Sequence, residues 1–331
     1  MPSSRYLHWI AVFLLILLPL GGCSKIPKSS RAEREAVASL DEYEVSYEQL
    51  RYFVRNLMDD RAAGDADYWT EEKAEEAKEK ILADAFDALR GEYAILSLSK
   101  KYGVDPDGSA IRELVSGKVE STIEGYGGEE AYAADLEAHH MTDSVFRFLT
   151  TVTVCREELF YAMLNAGDLE NDEDTLRALV NGDSFIRVKQ ILVKNDEGES
   201  PDENRARAEE LRTRAAAGED FDALVDSYGE DLFMFLNRDG YYICRGVWYK
   251  EFEDAAFALR PGEVSEVIET NAGYSILLRC EKEDAYLTAH FDELCEDYRD
   301  AQFSRVIEER AAAMTLTRRD ALDRYTLLTM D

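Results

Sequence analysis

Two short apolar runs and the helix signal between them constrain the fold of this chain more than any other feature. The first run covers Phe185–Lys194 and the second Gly273–Arg279, and both are rich in aliphatic and β-branched residues, as is typical of buried strands. Between them, Glu251–Leu259 has the apolar spacing of a short amphipathic helix, and a Pro-Gly turn ends it. The pattern predicts a small α+β unit over residues 183–283.

The central part of this unit resembles the parvulin-type (PpiC) family of peptidyl-prolyl cis-trans isomerases. The most specific match is the run Phe-Glu-x-Ala-x-Phe-Ala-Leu-x-x-Gly-Glu, which occupies residues 252–263. The resemblance implies a small antiparallel sheet with surrounding helices over residues 183–283. It also implies isomerisation of proline-containing polypeptides without a cofactor or a metal ion.

Two departures from the parvulin pattern concern the residues that would form the reaction site. Parvulins usually carry a histidine in the first strand and another in the last strand, and this chain has Gln190 and Ser275 at those positions. Counting back without gaps from Arg245, the position that is Asp or Cys in the family falls on Asp231. The acidic residue is therefore retained, whereas both histidines are replaced.

Rotation about an X-Pro bond breaks no covalent bond and has an uncatalysed barrier of roughly 18–20 kcal/mol. An apolar pocket that holds the proline ring and polar groups that favour the twisted amide are sufficient to lower it. The resemblance implies a pocket wall of Leu192, Trp248 and Phe252, with Trp248 at the usual methionine position. It implies a polar floor made by the catalytic candidates Asp231, Gln190, Ser275 and Thr270.

The residues alone leave other interpretations open for four of these positions. Phe252, at its helical spacing, also fits an ordinary core residue. Asp231 also fits a solvated loop acid. Gln190 and Ser275 also fit a pair that satisfies its own hydrogen bonds across neighbouring strands.

The first 22 residues predict a targeting segment rather than part of the fold. Arg5 precedes an apolar run, and Leu20–Cys23 follows it and resembles the lipobox of bacterial lipoproteins. The prediction is a lipoprotein signal peptide over residues 1–22, lipidation of Cys23, and a polar tether over residues 23–35. An uncleaved N-terminal anchor is the alternative, and in both cases the body of the protein lies at the extracytoplasmic face of the cell membrane.

The sequence on both sides of the α+β unit predicts helices. Residues 36–180 contain a short hairpin, the capping box Ser46–Gln49 and a long apolar-periodic helix from Thr70 to Tyr102, and their start resembles that of the SurA/PrsA-like chaperones. Residues 288–331 begin with another long helix, to about Met314. We expect this helix to pack on the helices of the N-terminal flank and not on the parvulin-like unit. The parvulin-like domain would then be inserted in an all-α chaperone domain.

Composition excludes some partners. The net charge is −31, from 69 acidic and 38 basic residues, which argues against nucleic acid as a partner. Besides Cys23, the cysteines are Cys155, Cys244, Cys280 and Cys295. Their spacing fits neither a metal site nor a redox motif and leaves any disulfide undetermined.

These observations favour a membrane-tethered folding factor outside the cytoplasm. It would combine weak parvulin-type isomerase activity with chaperone activity on unfolded or extended secreted polypeptides and their proline-containing segments. A pure binding module, in which the parvulin-like unit has lost catalysis and only holds extended chains, is the second hypothesis. Gln190 and Ser275 favour the second, and Asp231, Phe252 and Thr270 favour the first.

Overall fold

The computed structural model describes residues 26–65, 67–195, 200–270 and 272–330. The predicted signal peptide and Cys23 lie outside these residues. The described chain divides into two units by its internal contacts: residues 169–305 form one, and residues 26–168 together with 306–330 form the other. No helix of the described part is both long and apolar enough to span a bilayer.

The larger of the two units begins with a hairpin and continues as helices. Its elements up to residue 168 are β1 (Ala36–Leu40), β2 (Tyr43–Ser46), α1 (Tyr47–Ala62), α2 (Glu71–Lys101), α3 (Ser109–Gly125), α4 (Glu129–Ala138) and α5 (Asp143–Ala166). Ser46 and Gln49 form the predicted capping box of α1. Thr70 and Thr142 cap α2 and α5 through their hydroxyl oxygens. Because side-chain caps satisfy backbone N–H groups that have no helical partner, they fix where these helices start.

The second unit has the predicted α+β composition. Its elements are α6 (Glu173–Asn181), β3 (Ile186–Lys194), α7 (Pro201–Ala216), α8 (Phe221–Tyr228), α9 (Leu232–Leu236), β4 (Tyr241–Ile243), α10 (Lys250–Ala258), β5 (Ile268–Thr270), β6 (Gly273–Cys280), α11 (Asp284–Ala289) and the first part of α12 (Phe291–Ala313). The strands form one antiparallel sheet in the order β4-β3-β6-β5.

The sheet is buried on both faces at its centre. Alternate side chains of β3 point to opposite faces: Ile191 and Val193 pack with residues of α7 and α8, whereas Ile186 and Val188 pack with α10. This double burial explains why β3 is a nearly continuous apolar run in the sequence. It also places Gln190 on the face that α10 covers.

The C-terminal helix corrects one expectation. Leu294, Cys295 and Ala301 of α12 are buried in a cluster with Phe185 and other residues of the α+β unit. The prediction that this helix would pack on the N-terminal flank and not on the parvulin-like unit is therefore wrong for its first half. An apolar stripe indicates that a helix has a packing partner, but it does not identify the partner.

The chain beyond residue 305 does join the N-terminal flank. Arg310 Nη2 is 2.6 Å from Asp41 Oδ2, and β7 (Leu316–Arg318) pairs with β1 in an antiparallel ladder. Short 3-10 helices, Asp320–Arg324 and Leu327–Thr329, end the described chain. The helical unit therefore contains a three-stranded sheet, in the order β2-β1-β7.

Two truncated chains test whether the first half of α12 belongs to the α+β unit. A chain that ends at Arg305 retains the α12 residues of the α+β unit, whereas a chain that ends at Lys282 loses Leu287 and Leu294, which are 4% and 3% exposed. Since each buried leucine contributes about 1.5–3 kcal/mol, we expect the shorter chain to protect the amides of β3 and β6 much less in hydrogen exchange. Equal protection in the two truncated chains would contradict the packing of α12 on this unit.

Candidate active site

Gln190 and Ser275 lie on neighbouring strands and hydrogen-bond to each other. The Gln190 side-chain nitrogen Nε2 donates to Ser275 Oγ over 3.0 Å, and the two residues are only 6% and 1% exposed. The two side chains therefore meet across the strands, as the sequence allowed. They do not fully satisfy each other, because Gln190 Oε1 is buried and has no hydrogen-bond partner among the described residues.

Asp231 caps the short helix α9. Its Oδ1 accepts the backbone N–H of Phe233 over 3.0 Å, and its Oδ2 accepts the hydroxyl of Tyr241 over 2.7 Å. Burial, followed by the bond to Asp231, raises the pKa of Tyr241 well above its usual value. The phenol therefore remains a protonated donor at any physiological pH, and Asp231 is fixed in orientation at the start of α9.

Three aromatic rings, one of them the Tyr241 ring that bonds Asp231, pack against one another. The Trp248 ring lies 4.8 Å from Phe252 at 16° and 4.8 Å from Tyr241 at 59°. Trp248 is partly exposed, whereas Phe252 is 2% exposed and belongs to the core under α10. Trp248 thus presents an apolar surface to solvent, and Phe252 supports it from below.

The remaining predicted residues take structural positions around the same face. Leu192 is 8% exposed and sits opposite Ser275 in the β3–β6 register. Thr270 uses its hydroxyl in the turn between β5 and β6, where it donates to the Gly273 carbonyl over 3.1 Å and accepts the Ala272 N–H over 3.2 Å. The site thus combines a closed polar centre, Gln190 with Ser275, and an open aromatic edge.

Glu253 was not predicted from the sequence, yet it organises the loop before α10. Its Oε1 accepts the backbone N–H groups of Gly246, Val247 and Trp248 over 2.8–2.9 Å. Glu253 is 6% exposed, and burial raises the pKa of its carboxyl while the three N–H groups oppose that rise. One oxygen that collects three amide donors fixes the loop, and with it the Trp248 ring.

An open cavity of about 280 Å³ lies on the β4 side of Trp248. Its wall contains the following residues: Phe233, Leu236, Asn237, Tyr241, Tyr242, Ile243, Cys244, Val247, Trp248, Tyr286 and Asp297. Trp248 is the one predicted site residue among them. Gln190 and Ser275 are not among the residues that line the cavity.

Cys244 lines the cavity, but none of the described thiols is suited to nucleophilic chemistry. Cys155, Cys244, Cys280 and Cys295 are free in the described chain, and burial raises the pKa of Cys155 to about 11 and that of Cys244 to about 12. A protonated thiol is a poor nucleophile. Among the described residues, no cluster of three or more His, Cys, Asp or Glu side chains is placed to hold a metal ion.

The fold and the sequence of this unit define its class. Residues 187–281 match the family model of the rotamase, PPIC-type PPIase domain, and they coincide with the sheet from β3 to β6 and the helices between its strands. The chain thus carries a parvulin-type peptidyl-prolyl isomerase domain.

Proteins similar to this chain include foldases. The chain is 29% identical over 188 residues to the foldase protein PrsA of Geobacillus sp. (strain WCH70), which covers 56% of this chain and 60% of the relative. It is 32% identical over 154 residues to PrsA of Halalkalibacterium halodurans, covering 46% and 41%. The alignments therefore span about three-fifths of these relatives or less. A crystal structure of the peptidylprolyl isomerase PrsA from Bacillus anthracis matches with a TM-score of 0.37 and 18% identity, over 68% of this chain and 95% of that one.

Proposed function

We propose that this protein is an extracytoplasmic folding factor that isomerises X-Pro bonds in unfolded or extended secreted polypeptides and also shields such clients from aggregation. The match of residues 187–281 to the PPIC-type domain carries the proposal. The similarity to PrsA foldases supports it and favours an isomerase that assists folding over an inactive holding module.

The geometry of the α+β unit suggests how it acts on the proline. Trp248 offers an apolar face on which the pyrrolidine ring can rest, and Phe252 and Tyr241 keep that face in position. Excluding water from the amide favours the twisted, less polar transition state. The buried Gln190 and Ser275 then supply polar groups beneath the bond, in place of the two histidines. We propose Leu192, Asp231 and Thr270 as supports of this site.

The variant Trp248→Ala tests the proposed proline contact. We expect the catalytic efficiency on a short proline peptide to fall about tenfold, which corresponds to about 1.4 kcal/mol of transition-state stabilisation. Trp69→Ala is the matched control, since Trp69 lies in the other unit. An unchanged efficiency in Trp248→Ala would remove Trp248 from the binding surface.

Restoring the two histidines tests whether their loss limits the rate. In Gln190→His with Ser275→His we expect isomerisation to rise on the order of tenfold and to become pH-dependent between about pH 6 and 8, where imidazole titrates. The wild-type rate should be nearly flat in this range, because the amide of Gln190 and the hydroxyl of Ser275 do not titrate there.

The same double variant needs a stability control. Ser275 is 1% exposed, so an imidazole there overpacks the site at a cost of about 1–3 kcal/mol. Gln190→His alone serves as the comparison, since the amide and the imidazole are similar in size. A folded double variant with an unchanged rate and a flat pH profile would show that the pair does not limit catalysis.

We further propose that Cys23 is lipidated and attaches the mature chain to the membrane. The small residues Gly21 and Gly22 before the cysteine support this assignment, because a signal peptidase site requires them. Metabolic labelling with a radioactive fatty acid should label the wild type and not Cys23→Ala. Labelling of Cys23→Ala at the wild-type level would contradict the assignment.

The helical unit, residues 26–168 with 306–330, is proposed to form the chaperone part. The sequence alone suggests residues 36–180 and 288–331 around a parvulin-like domain at 183–283, but α6 and the first half of α12 belong to the α+β unit. Suppression of client aggregation should then persist in Gln190→His with Ser275→His, because that variant alters only the isomerase site.

A further inference from the structure

Three of the exposed large apolar side chains lie on one short helix. Leu232, Phe233 and Leu236 of α9 are 69%, 48% and 83% exposed, and we call these three residues the α9 patch. Large apolar side chains rarely cluster on a surface unless another molecule covers them. In a helix of five residues only one face can turn inward, and here Met234, 2% exposed, occupies that face.

The patch continues into an aromatic cavity. Phe233 and Leu236 form one wall of the 280 Å³ cavity, and Tyr241, Trp248 and Tyr286 contribute aromatic surface to the rest. That volume suits one or two apolar side chains and is smaller than most pockets for free organic ligands. A chain that projects side chains at intervals fits this shape better than a compact small molecule.

The cavity also lies along a sheet edge. β4 contributes Tyr241–Ile243 to the wall, and it is the outer strand of the β4-β3-β6-β5 sheet. Strand edges accept extended peptides through main-chain hydrogen bonds. The edge of β4 and the apolar cavity therefore both suit an extended peptide.

Charge specifies the ligand further. Asp297 lines the cavity. After burial, the carboxylates of Glu293, Asp239 and Asp297 raise the pKa of Tyr286, which places several acids around this ring.

The basic side chains near the cavity are already engaged. Arg187 pairs with Glu283, Arg238 with Asp226, Arg245 with Asp254 and His290 with Glu293. Asp297 in the cavity wall and Asp239 near the Tyr286 ring therefore remain to attract a ligand, and cations complement them.

We propose that the α9 patch and its cavity dock an extended segment of an unfolded polypeptide in which an aliphatic or aromatic residue stands next to Lys or Arg. The site needs no proline in its ligand, does not include Gln190 or Ser275, and meets the proposed proline contact at Trp248, which lines the cavity. The inference builds on the proposed function, since it assigns a holding site to the client of the isomerase. A client held on the α9 patch would keep its proline bonds beside Trp248.

Peptide binding to the chain from residue 24 to 331 tests the proposal. The probe is a fluorescein-labelled, proline-free peptide of alternating Leu and Lys, and its affinity is measured by fluorescence anisotropy. Leu232→Ser with Leu236→Ser removes the apolar contacts without adding charge and should weaken binding at least about tenfold. Leu114→Ser, at a 46% exposed leucine of α3, should change it less than about twofold. Both substitutions lie at exposed positions, and circular dichroism checks that the variants fold.

Two further measurements separate this site from catalysis and from general stickiness. A peptide with Glu in place of Lys should bind the wild type at least about tenfold more weakly. Isomerisation of a short proline peptide should be unchanged in Leu232→Ser with Leu236→Ser. Equal affinity of that variant and the wild type, equal affinity for the two peptides, or a parallel loss of isomerisation would each overturn the proposal. A wild type without isomerase activity that still needs the α9 patch for binding would refute the proposed function and uphold this site.

Discussion

Replacing Glu253 by alanine is expected to lower the free energy of unfolding of the α+β unit by about 3–5 kcal/mol, because three backbone N–H groups lose their acceptor and each unsatisfied donor costs about 1–3 kcal/mol. The carboxylate accepts these three N–H groups through one oxygen. Urea unfolding of the chain from residue 24 to 331, which excludes Trp9, measures the loss through the fluorescence of Trp248 in a Trp69→Phe background. Isomerase activity should fall as well, because the loop that fixes Trp248 loosens.

Two matched variants isolate the role of the Glu253 charge. Glu253→Gln keeps an oxygen acceptor in place and should cost much less, since neutral hydrogen bonds contribute only about 0.5–1.5 kcal/mol each. Glu251→Ala removes an exposed acid from the same helix and should change stability by less than about 0.5 kcal/mol. If Glu253→Ala unfolds at the same urea concentration as Glu251→Ala, Glu253 does not organise the loop.

Phe252→Ala is expected to cost about 3–5 kcal/mol, as is usual for a fully buried phenylalanine. The ring is 2% exposed, packs with Ile186, Val188 and Leu277, and stacks under Trp248. Thermal or urea unfolding of the whole chain measures the effect in the transition of the α+β unit. The half-buried Phe257 on the same helix provides the comparison, and Phe257→Ala should cost less.

Phe252→Leu separates the packing role of Phe252 from its proposed support of the proline site. Leucine keeps most of the buried volume but removes the ring that stacks on Trp248, so stability should fall by less than about 1.5 kcal/mol. The KM for a proline peptide should rise in this variant. A Phe252→Ala protein within 1 kcal/mol of the wild type would contradict the buried position.

The sequence predicts the long helices well because capping side chains mark where they begin. Ser46, Thr70 and Thr142 are side-chain caps that bind backbone N–H groups, and each is recognisable from residue type alone. The sequence also predicts the strands β3 and β6, because apolar runs between turn signals are typical of buried strands. The bond between Gln190 and Ser275 follows from strand pairing, which places them diagonally across the ladder.

The elements that the sequence did not predict are short or depend on distant contacts. β4 and β5 have three residues each, too few to show a period of two. The sequence of α9 is an apolar run without an amphipathic pattern, because its exposed side chains are apolar as well. Glu253 looks like one of many helix-surface acids, and only the loop folded over α10 makes it a buried acceptor. The weak signal for it is its place directly beside the buried Phe252.

Isomerase activity of the chain from residue 24 to 331 tests the central claim most directly. An NMR exchange assay on a short X-Pro peptide needs no auxiliary protease and compares rates with the uncatalysed isomerisation, which takes tens to hundreds of seconds at 25 °C. The account predicts a measurable acceleration that Trp248→Ala reduces. Exchange at the uncatalysed rate, even with enzyme equal in concentration to the peptide, would contradict it.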